Sequence, residues 1–301
     1  MGNVTQKNEK SISGTIKIDE KEIGDHLNQL VRQSVVEDIT EALWGSKVSS
    51  STVSELNQKI YSKIESWRMQ PIHGEHPYIF VDGVYLKRSW GGEVQNVSVL
   101  VAIGVNAEGS REDKESWSNF FRYLKDRGLK GVKLVISDKA SGLVDVLGDF
   151  FPAAQWQRCV VHWYRNAFNK CPYKHVKTVA AMLKAIHAQE DKEAARQKAA
   201  LVAEKLRGMK LDSVAKFVED SVEETLSYMD FPYEHWVKIR TNNGLERIMK
   251  EIRRRTRVVG SFPDGYSAMM LVGARLRHIS TTKWGTRQYL CTCKIYEQGV
   301  I

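Results

Sequence analysis

Two hydrophobic periodicities alternate through the middle of this chain, and then one of them takes over. Tyr78–Leu86 and Val94–Val105 are dense in β-branched and aromatic residues over strand-length runs, which predicts two strands each covered on at least one face. Trp117, Phe120, Phe121 and Leu124 then recur at three- and four-residue intervals, predicting a helix that Gly128 can end. Val132–Ile136 predicts a strand leading into Asp138, Leu143, Val146, Leu147 and Phe150 a short helix, and Ala154–Val160 another strand. This alternation is the pattern of an α/β sheet domain. From about residue 164 to 240 the period is helical throughout, which reads as an all-α insertion interrupting the sheet pattern. A helix carrying Glu246 follows, and Met269, Met270, Val272, Leu276 and Ile279 predict a final core helix.

Upstream, Val35, Val36, Ile39 and Leu43 fall at helical spacing. A glycine-containing break at residues 44–47 and a second run, Val53, Leu56, Ile60, Ile64 and Trp67, come next. Helix, turn, helix is the reading for residues 35–70, with the second helix starting within Ser50–Thr52 because serines are strong caps. The small hydroxyls of Ser51 and Thr52 also suit an approach to a phosphate or a base edge. Residues 1–34 are polar with scattered apolar positions and read as a poorly ordered tail. Residues 71–77, PIHGEHP, break periodicity and read as a linker, which leaves 78–301 as the main domain.

Composition narrows the classes of function. With 42% hydrophobic residues in 301 the chain can bury a sizeable core, and its longest apolar run is about half of what a membrane helix requires. We therefore expect no membrane association, and cytoplasmic, nucleoid-associated localisation. Four cysteines are too few for a disulfide-held scaffold, and Cys291 and Cys293 carry no assignable motif. The net charge of +9 is concentrated locally: Arg247, Lys250, Arg253, Arg254, Arg255 and Arg257 face one acid, Glu251, within eleven residues. Guanidinium groups match phosphate oxygens in a two-pronged geometry, so this run is a candidate DNA-backbone contact.

Beside it lies the candidate chemistry. Asp82 and Asp138 each follow an apolar strand-like run, and Glu246 opens the basic helix. Magnesium is a hard ion that takes oxygen ligands, and two ions about 3.5–4 Å apart can serve phosphoryl transfer, so three carboxylates gathered by the fold suffice to hold a pair. Manganese is the natural substitute. Cys159 and His162, with Cys171 and His175 beyond, superficially show zinc-site spacing; read alone, they are equally a core thiol and a hydrogen-bonded imidazole.

The order and content of several segments, GEHPYIFVDG, NVSVLVAIGVNAEG, WQRCVVHWYRN, TNNGLERI, EIRRRTRVVGSFPDG and ARLRHI, resemble the bacterial insertion-sequence transposases of the Mutator-like superfamily. That resemblance implies an RNase H-like mixed sheet flanked by helices, with an all-α insertion and an N-terminal helix-turn-helix. It implies catalytic and metal-binding roles for Asp82, Asp138 and Glu246, and active-site support from Cys159 and His162. It also implies double-stranded DNA, both transposon ends and target, as partner. Strand cleavage and strand transfer would be the reaction, and a homo-oligomer on DNA is expected because two ends are handled together. Three departures from the family pattern are visible. At NAEGSREDKESW an extended segment is missing, which implies a sheet without its third, edge strand. The stretch before Val35 is short, which implies a partial end-recognition module, and Gly244 stands where proline is common. The alternative these departures raise is a catalytically impaired DNA-binding remnant.

Overall fold

A computed structural model describes residues 41, 48–90, 93–105, 117–139, 142–262, 264–283, 289–292 and 294–295. The predicted tail, the first helix of the helix-turn-helix apart from Glu41, and the shortened NAEGSREDKESW segment after Val105 lie outside the described residues. The chain divides into two units, residues 1–63 and 64–301. Helix α1 (Ser50–Arg68), which begins in the first and ends in the second, starts where the serine cluster predicts. Ser49 Oγ accepts the Thr52 N–H at 3.2 Å and also bonds the hydroxyls of Ser51 and Thr52, so both of these side chains take part in the cap.

In the second unit, β1 (Tyr78–Trp90) and β2 (Glu93–Val105) form an antiparallel hairpin. Helix α2 (Trp117–Asp126), β3 (Leu134–Ser137), α3 (Leu143–Phe150) and β4 (Gln155–Arg158) follow. The sheet order is β2-β1-β3-β4, with β1, β3 and β4 parallel. Mixed pairing follows from connection length: only two residues separate β1 from β2, whereas helices lie between β2 and β3 and between β3 and β4. The outer edge of β2 has no strand partner among the described residues.

Side-chain alternation divides the core between the two faces of the sheet. Tyr78, Phe80, Val84, Leu86, Val101 and Ile103 face one helical layer, while Ile79, Val81, Ala102 and Val135 face α2 and α3 through Phe120, Phe121, Leu143 and Leu147. Strand β3 is buried at all four positions, as expected for a central parallel strand covered on both sides.

Two boundaries differ from the sequence reading. Strand β4 ends at Arg158, and helix α4 (Val160–Phe168) begins at once, with Cys159 as its N-cap. The apolar pair Val160 and Val161 serves a helix here rather than a strand, a distinction that a short apolar run cannot make by itself. Strand β1 runs to Trp90, four residues past the predicted end at Leu86, and keeps Asp82 in its interior.

The all-α segment contains α5 (Val176–Ile186), α6 (Lys192–Gly208), α7 (Asp212–Ser221) and the short α8 (Trp236–Ile239). Asp191 caps α6 through the Ala194 N–H at 2.8 Å. Val179, Leu183, Ile186, Ala195, Val202, Leu206, Val214 and Val218 bury one continuous core. Its polar centre is His187, 5% exposed, bonded to Thr225 Oγ1 at 2.8 Å and to the Tyr164 hydroxyl at 3.0 Å.

Burial pushes His187 down from 6.5 to about 4, which makes the fold acid-sensitive. Between those values the unfolded chain binds the proton and the native chain does not, so stability is full above pH 6.5 and is lost as pH falls toward 4. The expected loss from pH 7 to pH 5 is about 2 kcal/mol for this one group. His76, also held near 4 by burial, adds a change of the same sign. Urea denaturation at the two pH values measures the total. His187→Gln is expected to flatten the pH dependence, and an unchanged slope would contradict the assignment.

Helix α9 (Asn243–Val259) carries Glu246, and α10 (Gly265–Ser280), capped by Asp264 through the Ser267 N–H at 2.6 Å, is the predicted final core helix. Among the described residues no helix is long and apolar enough to cross a membrane. Cys159 and Cys171 are free thiols, and Cys291 is disulfide-bonded.

Candidate active site

Strand register sets up the site. Tyr78 pairs with Leu134 on β3, and Leu134 with Gln155 on β4. Continuing those offsets by four residues aligns Asp82 with Asp138 and Asp138 with Cys159, the first residue past β3's last and the N-cap of α4. The Cys159 N–H donates to the Ser137 carbonyl at 2.7 Å, which holds the end of this row in place.

Asp82 interrupts an otherwise apolar face of β1, since Tyr78, Phe80, Val84 and Leu86 point the same way and are all buried. Burial accordingly raises its carboxyl above the ordinary range. Asp138 pushes the same way, while the Gly83 N–H (2.8 Å to Oδ1), Arg253 and His162 partly offset the shift. What gives out at Asp82 is the pairing of β1 with β3 after Phe80, not the strand. The edge so released is taken over by Asn242.

Asn242 is fully buried and stands at the N-cap of α9 without capping it. Asparagine favours that position because its side chain can bond the first-turn N–H groups. Here the amide instead donates from Nδ2 to the Val81 carbonyl at 3.2 Å, next to Asp82. The Asn242 N–H donates to Cys159 Sγ at 3.2 Å, and its carbonyl accepts the Glu246 N–H at 2.9 Å. One residue therefore ties together β1, the start of α4 and the first turn of α9. Sequence reasoning did not single it out; the available signal was an asparagine immediately before a helix whose first turn holds a candidate acid.

His162, one turn into α4, closes the arrangement. Its Nε2 lies 3.0 Å from Glu246 Oε1 and its Nδ1 4.0 Å from Asp138 Oδ2, while Arg165 Nη1 reaches Glu246 at 3.5 Å. Cys159, His162 and Glu246 offer donor atoms within 4.8 Å of one another. Hydrogen bonding to the Cys159 sulfur raises the His162 pKa; burial opposes this, and the charges of Cys159, Asp138 and Glu246 add to it. The five predicted positions, Asp82, Asp138, Cys159, His162 and Glu246, thus share one locality. Cys171 and His175 do not join it: no group of potential metal ligands among the described residues includes them.

Three carboxylates from three separate elements are the kind of donor a hard divalent ion takes, but among the described residues the group whose donor atoms converge is Cys159, His162 and Glu246; the Asn242 Oδ1 is buried with no hydrogen-bond partner. An uncompensated buried oxygen and a desolvated carboxylate are both costly unless a cation or its hydration shell meets them.

The basic run separates into two groups. Arg254 and Arg255 are tied to Glu251, as is Arg275 from α10. The Arg254 hydrogen bond is the largest influence holding that carboxylate down at about 2. Arg247, Lys250, Arg253 and Arg257 are exposed and make no ion pair among the described residues. Three of them recur after Glu246 at four, three and four residues, so Glu246, Lys250, Arg253 and Arg257 form one stripe about 16 Å long on α9.

Comparison with known proteins extends over the same elements. The family model described as "Transposase, Mutator family" matches residues 29–285. The transposase for insertion sequence element ISRM5 of Rhizobium meliloti is 34% identical over 249 residues, 79% of this chain and 62% of its own length. The transposase for IS1081 of Mycobacterium tuberculosis is 38% identical over 252 residues, 80% and 60% respectively. The transposase for IS256 in transposon Tn4001 of Staphylococcus aureus is 32% identical over 269 residues, 85% and 68%. This chain therefore spans roughly three fifths to two thirds of the length of these relatives. Since the match runs through every element that carries the site and not through one short motif, the chain belongs to the Mutator family of transposases.

Proposed function

We propose that the chain is a DNA transposase of the Asp-Asp-Glu type that cleaves and transfers strands of an insertion element. The observation that supports this best is the convergence at one end of the sheet, where Asp138 and His162 both act electrostatically on Asp82 and His162 links Asp138 to Glu246. Asp82, Asp138 and Glu246 would hold magnesium, for which manganese can substitute. Bound there, the metal would neutralise charge developing on a scissile phosphate. His162 and Arg165 fix the Glu246 carboxylate, and Asn242 holds its helix against β1. The stripe of Lys250, Arg253 and Arg257, with Arg247, would carry DNA backbone phosphates away from the acids. Ser51 and Thr52, at the exposed start of α1, remain candidate DNA contacts. The sheet order fits an RNase H-like sheet lacking its third, edge strand. Handling two ends together calls for at least a dimer on DNA.

Duplex DNA carrying element ends is expected to be nicked with magnesium or manganese and left intact with a chelator. Four phosphate contacts give a log-log salt slope of about −3.6 for binding, and replacing both Lys250 and Arg253 by Gln reduces it by about 2. A slope near zero removes α9 from the interface. The edge of β2, without a strand partner among the described residues, supports a second reading, a remnant that binds DNA without cutting it. Binding with the expected slope, but no nicking with either metal, assigns the chain to that reading.

A further inference from the structure

A cavity of about 450 Å³ opens between α4, the end of α5, α8 and the first residue of α9. Its walls include Tyr164, Lys184, His187, Val237, Arg240 and Asn243, and among the described residues no acid lines it. Arg240 is the informative member. It is only partly exposed and makes no ion pair among the described residues. Its guanidinium meets neutral groups: Nη1 donates to the His187 carbonyl at 3.4 Å, and the Tyr228 hydroxyl lies in hydrogen-bonding contact. His187 adds no further positive charge, because burial keeps its ring neutral at physiological pH. Lys184, also without an ion pair among the described residues, adds a second positive charge at the rim. A half-buried cation without a counter-ion is costly, and a cavity lined by two cations and no acid is built for an anion.

The volume selects among anions. It falls in the range of small organic ligands and exceeds what a lone phosphate fills, and much of the remaining wall is apolar or aromatic. Asn243 lies three residues before Glu246, which places the cavity next to the candidate chemistry.

We propose that this cavity takes one unpaired nucleotide of the bound DNA strand, with its phosphate on Arg240 and Lys184 and its sugar and base against Tyr164 and Val237. The assignment rests on the DNA-acting reading above. Binding of the full chain to a blunt duplex is compared with binding to the same duplex bearing a short single-stranded overhang. The overhang is expected to bind about tenfold more tightly, the worth of one charge-assisted phosphate contact with its stacked base. Arg240→Gln is expected to abolish the preference and lower the salt slope on the overhang duplex by about 1. Val237→Trp, at a position 70% exposed and therefore tolerant of the larger side chain, fills the cavity and is expected to abolish the preference while leaving blunt-duplex binding unchanged.

Retention of the preference by both variants, or its absence in the wild type, overturns the assignment. Tight, Arg240-dependent binding of a deoxynucleoside monophosphate alone also overturns it, in favour of a free nucleotide. Wild-type binding to both duplexes without preference leaves the transposase reading standing, whereas binding to neither removes both.

Discussion

Asp82→Asn is expected to lower the proposed metal-dependent DNA cleavage about a thousandfold or more while raising the thermal stability of the metal-free protein. The two effects have one origin. Asp82 stands alone as a charge in the row Tyr78, Phe80, Val84 and Leu86, and burial raises its pKa. A carboxyl whose pKa is raised on folding destabilises the native state once pH exceeds its unfolded value, so removing the ionised form stabilises the fold at neutral pH. The same desolvation would make it a strong partner for a divalent cation, and on the proposed reading the loss of one of three charged ligands would remove a large share of the electrostatic stabilisation at the reacting phosphate. Cleavage is measured on end-bearing duplex with manganese, and stability by thermal melting in chelator. Equal cleavage by variant and wild type would falsify the assignment of Asp82. Loss of cleavage accompanied by a lower melting temperature would show a folding defect instead.

The next largest effect is expected at Asn242. Asn242→Ala leaves the Val81 carbonyl without its donor and frees the first turn of α9 from β1. Displacing a ligand-bearing helix by about 1 Å can cost about a hundredfold in rate with binding unchanged. The expected signature is therefore a hundredfold fall in the cleavage rate constant at saturating DNA, with little change in DNA affinity. Asn242→Ser separates this from a local helix effect: serine is an equally good N-cap but is too short to reach Val81. If serine restores the rate, Asn242 matters only to the helix end; if rate and stability stay low together, it matters only to packing.

Much of the architecture is legible from side-chain type alone. β1, β2 and β3 are dense in Val, Ile, Leu and Tyr, while α2, α3 and α10 show apolar residues every three or four positions. Burial chemistry is local enough to read there. The reading fails where two structures share one local signal. Val160 and Val161 continue the apolar run of β4 but begin α4, because the N-terminus of α4 is fixed by Cys159 meeting Ser137 and Asn242 from other parts of the chain. Asp82 suggests a strand end because charge in an apolar run commonly marks one. Its strand continues because β2 pairs with it throughout, and only β3 stops.

By itself, the sequence determined that the chain forms an α/β sheet interrupted by helices, which acids and which Cys and His are candidates, and where positive charge accumulates. These depend on residue type and short-range spacing. Only the tertiary structure decided that the ends of β1's pairing with β3, of β3 and of β4 lie together, which brings Asp82, Asp138 and Cys159 to one end of the sheet, because strand register is set by pairing between segments tens of residues apart. It also decided that Asn242 gives up its helix cap to brace β1. Of the six basic residues on α9, it left Arg254 and Arg255 occupied by Glu251 and the others facing solvent. A side chain's local preference states what it can do, and the groups brought to it by the fold determine which of those it does.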